Sequence, residues 1–492
     1  MADAEKVEHF DTLVVGAGIS GVGAAYHLQT QCPEQRFVVL EGLDSFGGTW
    51  HTHRYPGIRS DSDLHTFGYR FKPWLGAPIA SAEEILKYMG DVIDENQLAG
   101  HIRYQHNVET ADWSSKDQQW TLKGTRGDTG EAVTFTANFL WMCQGYYEHA
   151  KGYTPAWKGM GNFQGQVVHP QTWDESLDYK DKQVVVIGSG ATAATLVPAI
   201  AAQTAHTTVL QRSPTYFIPG RNENAMASEL RSLDVDETWV HEIVRRQILK
   251  NQAEFTRRAF AEPEVVKQEL LGAIRPLLEP GYDIDTHFTP DYLPWRQRIA
   301  FVPDGDIFAG IRSGKASMVT DEIERFTEQG IELKSGEELP ADIIITATGF
   351  NLSVLGGIHF SFDSKPIDFA ETVTYRGMMF TGVPNMVWIF GYFRASWTLR
   401  VDIIGDFVCR MLKYLQANGV KSVVPVLRPE DVDMPLLPWI DPENFNPGYL
   451  ARSMHLMPKR GDKPEWQHTQ DYWLEKDELP KIDLQDPIFR YE

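Results

Sequence analysis

The chain has 492 residues, 42% of them apolar, so its length exceeds what one hydrophobic core serves and two or more domains are expected. A formal net charge of -21 disfavours nucleic acid and anionic lipid as partners. The three cysteines form no closely spaced pair, no metal site is signalled, and neither a leader pattern nor a run of 18 apolar residues occurs, so a cytoplasmic protein without a transmembrane segment is expected.

The first apolar run, Phe10-Asp11-Thr12-Leu13-Val14-Val15, breaks into Gly16-Ala17-Gly18-Ile19-Ser20-Gly21, after which Val22, Ala25, Tyr26 and Leu28 recur at helical spacing. Strand, glycine turn and helix in that order make a dinucleotide-binding fingerprint. Gly16 permits the tight turn, Gly18 lets backbone N–H groups approach a pyrophosphate, and Gly21 lets the helix pack on the strand. A second strand, Arg36-Phe37-Val38-Val39-Leu40, ends at Glu41, about 20 residues on, where a carboxylate takes a ribose hydroxyl. The loop over 46–63 is long, and its Gly47-Gly48 pair, Pro56-Gly57 turn, arginines and aspartates suit a segment that wraps a ligand. A helix is expected over 81–96, with Ser81 as N-cap and Glu84 at the capping-box position. Strands are expected near 102–108 and 120–122, and Phe139-Leu140-Trp141-Met142-Cys143 then runs to Gly145.

After a connecting stretch over 163–174 the opening pattern returns. Gln183-Val184-Val185-Val186-Ile187 reads as a buried strand, Gly188-Ser189-Gly190-Ala191-Thr192-Ala193 as the turn, and the residues from Ala194 as a helix. The strand after it ends in Gln211-Arg212-Ser213 rather than in an acid. An arginine there accommodates a 2′-phosphate, so the second nucleotide is expected to be NADP. Residues 225–278 read as a charged helical insertion with a solvated face. In Pro294-Trp295-Arg296-Gln297-Arg298-Ile299 both arginines fit ordinary surface ion pairs, and alternation in an extended segment would point both the same way. Ala341-Asp342-Ile343-Ile344-Ile345-Thr346-Ala347-Thr348-Gly349 echoes the strand that ends at Gly145, which suggests two similar α/β units, one inserted in the other. A core helix is expected over 401–415, and the last forty residues read as an extended tail laid over the surface.

The pattern Phe163-x-Gly165-x-x-x-His169-x-x-x-Trp173-Asp174 resembles the signature of Baeyer–Villiger monooxygenases, flavoproteins that use FAD and NADPH. Taken alone, His169 reads equally as a loop histidine. The resemblance is closest to the ethionamide monooxygenase subgroup. It extends over nearly the whole chain, through Gly48-Thr49-Trp50, Arg54-Tyr55-Pro56-Gly57-Ile58-Arg59-Ser60-Asp61, the 188–193 turn, Gln211-Arg212-Ser213-Pro214-Thr215-Tyr216 and Ala347-Thr348-Gly349. It implies an α/β fold with two Rossmann-like dinucleotide-binding domains, one inserted in the other, and a helical insertion. FAD would be held by 1–160 and 347–492, the latter with the C-terminal tail; NADP would be held by 161–224 and 299–346; the helical insertion would span 225–298.

Residue by residue, the resemblance implies that Gly16, Gly18, Ser20, Gly21, Glu41, Thr49, Trp50, Asp61 and Val108 lie against FAD. Gly188, Ser189, Gly190, Ala191, Thr192, Ala193 and Ala194, with Gln211 and Arg212, would take NADPH, bordered by Arg59 and Ser60. Arg298 matches the arginine placed over the flavin, with Asp61 as its neighbour. Many relatives carry Lys just before that arginine; here the position is Gln297, which shifts the NADP contact toward Arg212.

In this family NADPH reduces the flavin, O2 adds at its C4a carbon, and the anionic peroxyflavin inserts one oxygen into a ketone to give an ester or lactone. Thioether or thioamide sulfoxidation follows from the same chemistry. A permanently charged guanidinium suits such an anion. The alternatives are a flavin-containing monooxygenase limited to N- or S-oxygenation, for which Trp173 and Arg298 are the discriminators, and a disulfide reductase, disfavoured by the missing cysteine pair. A non-enzymatic nucleotide sensor would have no need of Arg298. The expected partners are a small ketone or thioether and O2, with no nucleic acid; oligomeric state is left open.

Overall fold

The strand Glu8–Val15 lies between Phe37–Leu40 and Ala132–Met142, parallel to both. Its Leu13 and Val14 are fully buried, as a parallel strand covered on both faces requires. These relationships come from a computed structural model, which describes residues 7–492. An antiparallel pair, His106–Ser114 with Gln119–Arg126, widens this first sheet beyond Ala132–Met142. Three late strands join it: Met386–Trp388 beside Ala132–Met142, His359–Phe362 beside His106–Ser114, and Lys365–Pro366 at the edge beyond His359–Phe362. The first sheet thus draws on both ends of the chain.

A second sheet uses only the middle. Ala316–Thr320, His206–Gln211, Gln183–Ile187, Ile343–Thr346 and Gln166–Val168 follow one another across it, all parallel. The chain leaves the first sheet through Tyr147–Gly152 and returns through Phe350–Leu352, and these two strands pair antiparallel.

Over the first sheet, the helix Ile19–Gln31 packs on the long helix Trp397–Asn418. Missing side chains allow the approach: a Cβ on Gly405 would lie 2.6 Å from the His27 ring. The helix expected over 81–96 forms as Ala82–Glu95 with its full capping box. Ser81 Oγ accepts from the Glu84 N–H at 3.2 Å and Glu84 accepts from the Ser81 N–H at 2.8 Å. The expected strand over 102–108 is instead two, Ile102–Arg103 and His106–Ser114, because Gln105 adopts a left-handed backbone (φ 60°) and turns the chain.

Helices Ala225–Ser232, Glu237–Ala261, Pro263–Ile274 and Ile284–Phe288 form the insertion, bracketed by the parallel pair Phe217–Gly220 and Ala300–Pro303. Its charges are not all solvated. Arg245 is buried and donates to the carbonyls of His65, Thr66 and Gly68, tying the insertion to the first unit.

The reading of the last forty residues as a surface tail is corrected. Trp466, Leu479 and Ile488 are fully buried in the first core, and Phe489–Tyr491 pairs with Val423–Pro425. Buried Glu475, on the helix Tyr472–Glu478, accepts from Arg400, Tyr392 and Thr469. A segment rich in proline, tryptophan and charge looks loop-like locally, and only its long-range partners show that it is core. Among the described residues no helix is long and apolar enough to cross a membrane, and no group of three metal-ligating side chains gathers at one point.

Candidate active site between two dinucleotide folds

A cavity of about 540 Å³ opens at the carboxyl ends of the first sheet's strands, the place where open α/β sheets bind ligands. Gly16 (φ 98°) turns the chain over it, where a Cβ would sit 2.8 Å from the Cys143 carbonyl oxygen. Gly21 lies beneath the turn, where a Cβ would fall 1.7 Å from the Gly16 oxygen. At the start of the helix Ile19–Gln31, Gly18 contributes no capping side chain and the first turn has no acidic residue. Its N–H groups are therefore available to an anion. A Cβ on Gly18 would meet only Gly48, at 3.7 Å. These features fit a dinucleotide pyrophosphate.

Gly16, Gly18, Ser20, Glu41, Thr49, Trp50 and Val108 all line this cavity. Glu41 is positioned by two backbone donors, Ala17 N–H at 2.6 Å and Leu43 N–H at 2.9 Å, one on each carboxylate oxygen. Each oxygen keeps a second lone pair for a ribose hydroxyl. Ser20 Oγ accepts from Trp397 Nε1 at 2.8 Å. Asp61 is not in the lining; it is paired with Arg298.

The second turn repeats the first. Gly188 (φ 112°) passes so close to the Ala347 carbonyl that a Cβ would meet its oxygen at 2.4 Å. Gly190 precedes the helix Ala191–Ala201 without a capping side chain, and a Cβ there would find nothing within 4 Å. Ala193 and Ala194 are buried in the helix, and Ser189 Oγ lies 3.2 Å from Thr215 Oγ1. Arg212 is exposed and makes no ion pair or hydrogen bond among the described residues, a free cation suited to a 2′-phosphate. Gln211 is buried and its amide nitrogen donates to His287 O at 2.7 Å and Thr320 Oγ1 at 2.9 Å, which braces the strand edge, while its amide oxygen has no partner among the described residues.

The loop over 46–63 joins the two turns. Gly57 lies against the second helix, where a Cβ would come within 2.9 Å of the Thr195 carbonyl oxygen. Arg59 pairs with Asp306 at 2.6 Å and donates to the Ala194 carbonyl at 3.4 Å. Buried Ser60 donates to Ser62 O. Asp61 then receives Arg298: Nε reaches one carboxylate oxygen at 2.5 Å and an Nη the other at 2.6 Å, while the second Nη donates to Phe393 O at 3.1 Å. Burial opposes both charges, but each partner overrides it. Asp61 is held below the usual carboxylate range by Arg298 and by Ser62, and Arg298 above the usual arginine range by Asp61. The pair stays ionised, and with side chains 39% and 29% exposed it remains reachable.

Arg296 does not share this position. Trp295 has a positive φ of 64°, the extended alternation is broken, and Arg296 turns to the Glu443 carbonyl. Three tyrosines that sequence reasoning did not single out surround the ion pair: Tyr146, Tyr147 and Tyr449, on each of which the Arg298 charge acts. The first two follow Gly145 directly, which was their available signal.

His169 sits at the crossing between the sheets. Its Nε2 lies 3.2 Å from the Gly349 carbonyl and its Nδ1 accepts from the Gln171 N–H at 3.1 Å. Gly152 passes beneath, where a Cβ would fall 2.0 Å from the ring. Phe163 and Trp173 are buried in two different cores of the second unit. Of the 163–174 pattern, His169 thus bonds across the junction between units, Phe163 and Trp173 anchor the stretch in the second unit, and Gln171 donates to the carbonyls of cavity-lining Glu148 and His149.

A flavin-binding monooxygenase-like family model matches residues 78–251, and a model of NAD(P)-binding Rossmann-like domains matches 14–75. The chain is 46% identical over 467 residues to the FAD-containing monooxygenase EthA of Mycobacterium tuberculosis, covering 94% of each. It is 42% identical over 487 residues to a probable FAD-binding monooxygenase AlmA of an Acinetobacter species, covering 98% of this chain and 96% of the other. Among solved structures, an oxidized steroid monooxygenase bound to NADP superposes with a TM-score of 0.76 at 22% identity, over 98% of this chain and 99% of that one. A cyclohexanone-bound cyclohexanone monooxygenase gives 0.75 at 18% identity, over 99% and 100%. At such identities these two likenesses speak for the fold.

Proposed function

This chain belongs to the FAD-containing monooxygenases, and from that premise we propose that it uses FAD and NADPH to insert one oxygen atom of O2 into ketones, giving esters or lactones, and also oxygenates thioethers or thioamides at sulfur. The observation that carries the reading is the Arg298–Asp61 pair, a held positive charge beside two phenols that line the cavity. FAD, when bound and reduced by NADPH, supplies the oxygen-activating chemistry; the rest is work for the protein.

In this reading the N–H groups after Gly18 hold the FAD pyrophosphate, and Glu41 takes the adenosine ribose. The turn at Gly188 and Gly190 holds NADPH, with Arg212 on its 2′-phosphate. Arg298 meets the negative charge that develops on oxygen during transfer, in a site where a fixed charge acts more strongly than in water. Asp61 orients the guanidinium and keeps the net charge of the site low. Trp50, Trp397 and the three tyrosines exclude water.

Incubating the purified enzyme with NADPH, O2 and a panel of linear ketones, cyclic ketones and thioethers tests the reading. Esters or lactones are expected together with sulfoxides. Sulfoxide with no ester from any ketone would make heteroatom oxygenation the function instead. Gly18→Val is expected to empty the flavin site and Gly190→Val to leave it filled; the reverse would exchange the two nucleotide assignments.

A further inference from the structure

Three phenols meet beside the Arg298–Asp61 pair. Tyr146 and Tyr147 line the cavity, and Tyr449 arrives from the helix Gly448–Ser453, near the far end of the chain. The hydroxyls of Tyr146 and Tyr147 are 2.6 Å apart, and that of Tyr146 also interacts with Tyr449. The Tyr146 ring is stacked on Trp397, centroids 5.3 Å apart and planes within 16°, which fixes where its hydroxyl points.

Burial drives all three phenols above the usual tyrosine range, with Arg298 opposing it, so each keeps its proton. Three protonated phenols carry three donor hydrogens, and the two contacts among them engage two. Asp61 does not take the remaining hydrogen: the side-chain bonds it accepts come from Arg298, on both oxygens, and from Ser62, on one. One phenolic O–H is therefore left to donate outside the trio. Beside it, Arg298 spends three of its N–H groups on Asp61 and Phe393 O, leaving two of the five a guanidinium carries.

Resting on the ketone reading above, we propose that the Tyr146–Tyr147–Tyr449 trio and Arg298 together hold the carbonyl oxygen of the substrate, which makes the three tyrosines determinants of ketone-over-thioether selectivity. A carbonyl oxygen accepts two hydrogen bonds, and those bonds strengthen as negative charge gathers on it. A thioether sulfur is a weak acceptor and gains little from the same donors.

Tyr147→Phe and Tyr449→Phe keep the rings and remove one end of the hydroxyl chain, which takes away the donor position at that end and moves the free O–H. Each flavin-loaded variant is given NADPH and an equimolar mixture of a cyclic ketone and an aryl methyl thioether. The expected result is a fall of about tenfold or more in the lactone-to-sulfoxide ratio relative to wild type. A merely structural role would lower both products together and leave the ratio where it was. An unchanged ratio in both variants, with wild type producing lactone, overturns the role of the trio alone. A wild type that yields sulfoxide and no lactone removes the ketone reading and this inference together. If Tyr449→Phe fails to retain flavin, Tyr147→Phe decides.

Discussion

Arg298 and Asp61 meet edge to edge, two nitrogens against two oxygens at 2.5 and 2.6 Å, although 237 residues separate them. Arg298 enters at the close of the helical insertion and Asp61 from the loop that follows the first nucleotide turn, so the pair forms only when both halves are folded together.

Arg298→Ala is expected to abolish ester formation, by a factor of roughly a hundred to a thousand or more, on the scale of removing one stabilising donor from such a site. NADPH consumption should continue, with hydrogen peroxide released in place of product. Arg296→Ala, whose side chain is turned to the Glu443 carbonyl, should retain ester formation. Gas-chromatographic ester yield, measured with NADPH consumption and peroxide release, decides between them. Ester at the wild-type rate from Arg298→Ala would end its role.

Arg212→Ala should raise KM for NADPH about tenfold or more and leave NADH nearly unchanged, because a charge-assisted contact to the 2′-phosphate is the one interaction the two coenzymes do not share. Steady-state rates with each coenzyme measure it. Equal effects on both would assign Arg212 to packing.

Glu475→Ala should destabilise the protein by about 3–5 kcal/mol, since it leaves fully buried Arg400 without its carboxylate. The double variant Arg400→Met, Glu475→Leu should recover only part of the loss, because Tyr392 and Thr469 lose their acceptor and the carbonyls of Phe390 and Arg376 lose their donor. Urea unfolding followed by tryptophan fluorescence reports both; a loss below about 1 kcal/mol would place the pair among ordinary surface bridges.

Acid should weaken the fold in a defined window. Burial, with His149 and His169 nearby, pulls the His53 pKa from 6.5 down to about 4. Between those values the unfolded chain binds a proton that the folded chain refuses, so stability is full above about pH 6.5 and declines as pH falls toward 4. His53 alone accounts for about 3 kcal/mol at the lower limit. His149 and His169 are depressed for the same reason and add in the same direction. His53→Phe, stacked on Phe350, should flatten the urea midpoint between pH 7 and 4.5; an unchanged slope would show that His53 is not part of it.

What was legible in the sequence was local. The two glycine turns, the strands feeding them and the Ser81–Glu84 capping box each lie within a few residues and follow rules of short range. Glu41 was readable because its distance from the turn is set by one strand, one helix and another strand. Tyr449 was not, since nothing around it indicates that it reaches Tyr146. The different partners of Arg296 and Arg298 go with the positive φ at Trp295, which no residue type announces. Gln211 stands beside a phosphate-binding candidate in sequence, and its amide nitrogen is held by His287 and Thr320, partners that only the folded sheet supplies.

The division of strands between the sheets also sets a timetable for synthesis. Every strand of the second sheet lies within residues 166–346, so that unit can close while the rest of the chain is still on the ribosome. The first unit cannot. Its opening strand emerges early, yet Met386–Trp388, the helix Trp397–Asn418 and buried Phe489 arrive last. Glu8–Val15 can pair early with Phe37–Leu40 and Ala132–Met142, but the apolar surface these strands share is closed only once Met386–Trp388 and the helix Trp397–Asn418 have been made, so it stays open longer than that of the second unit.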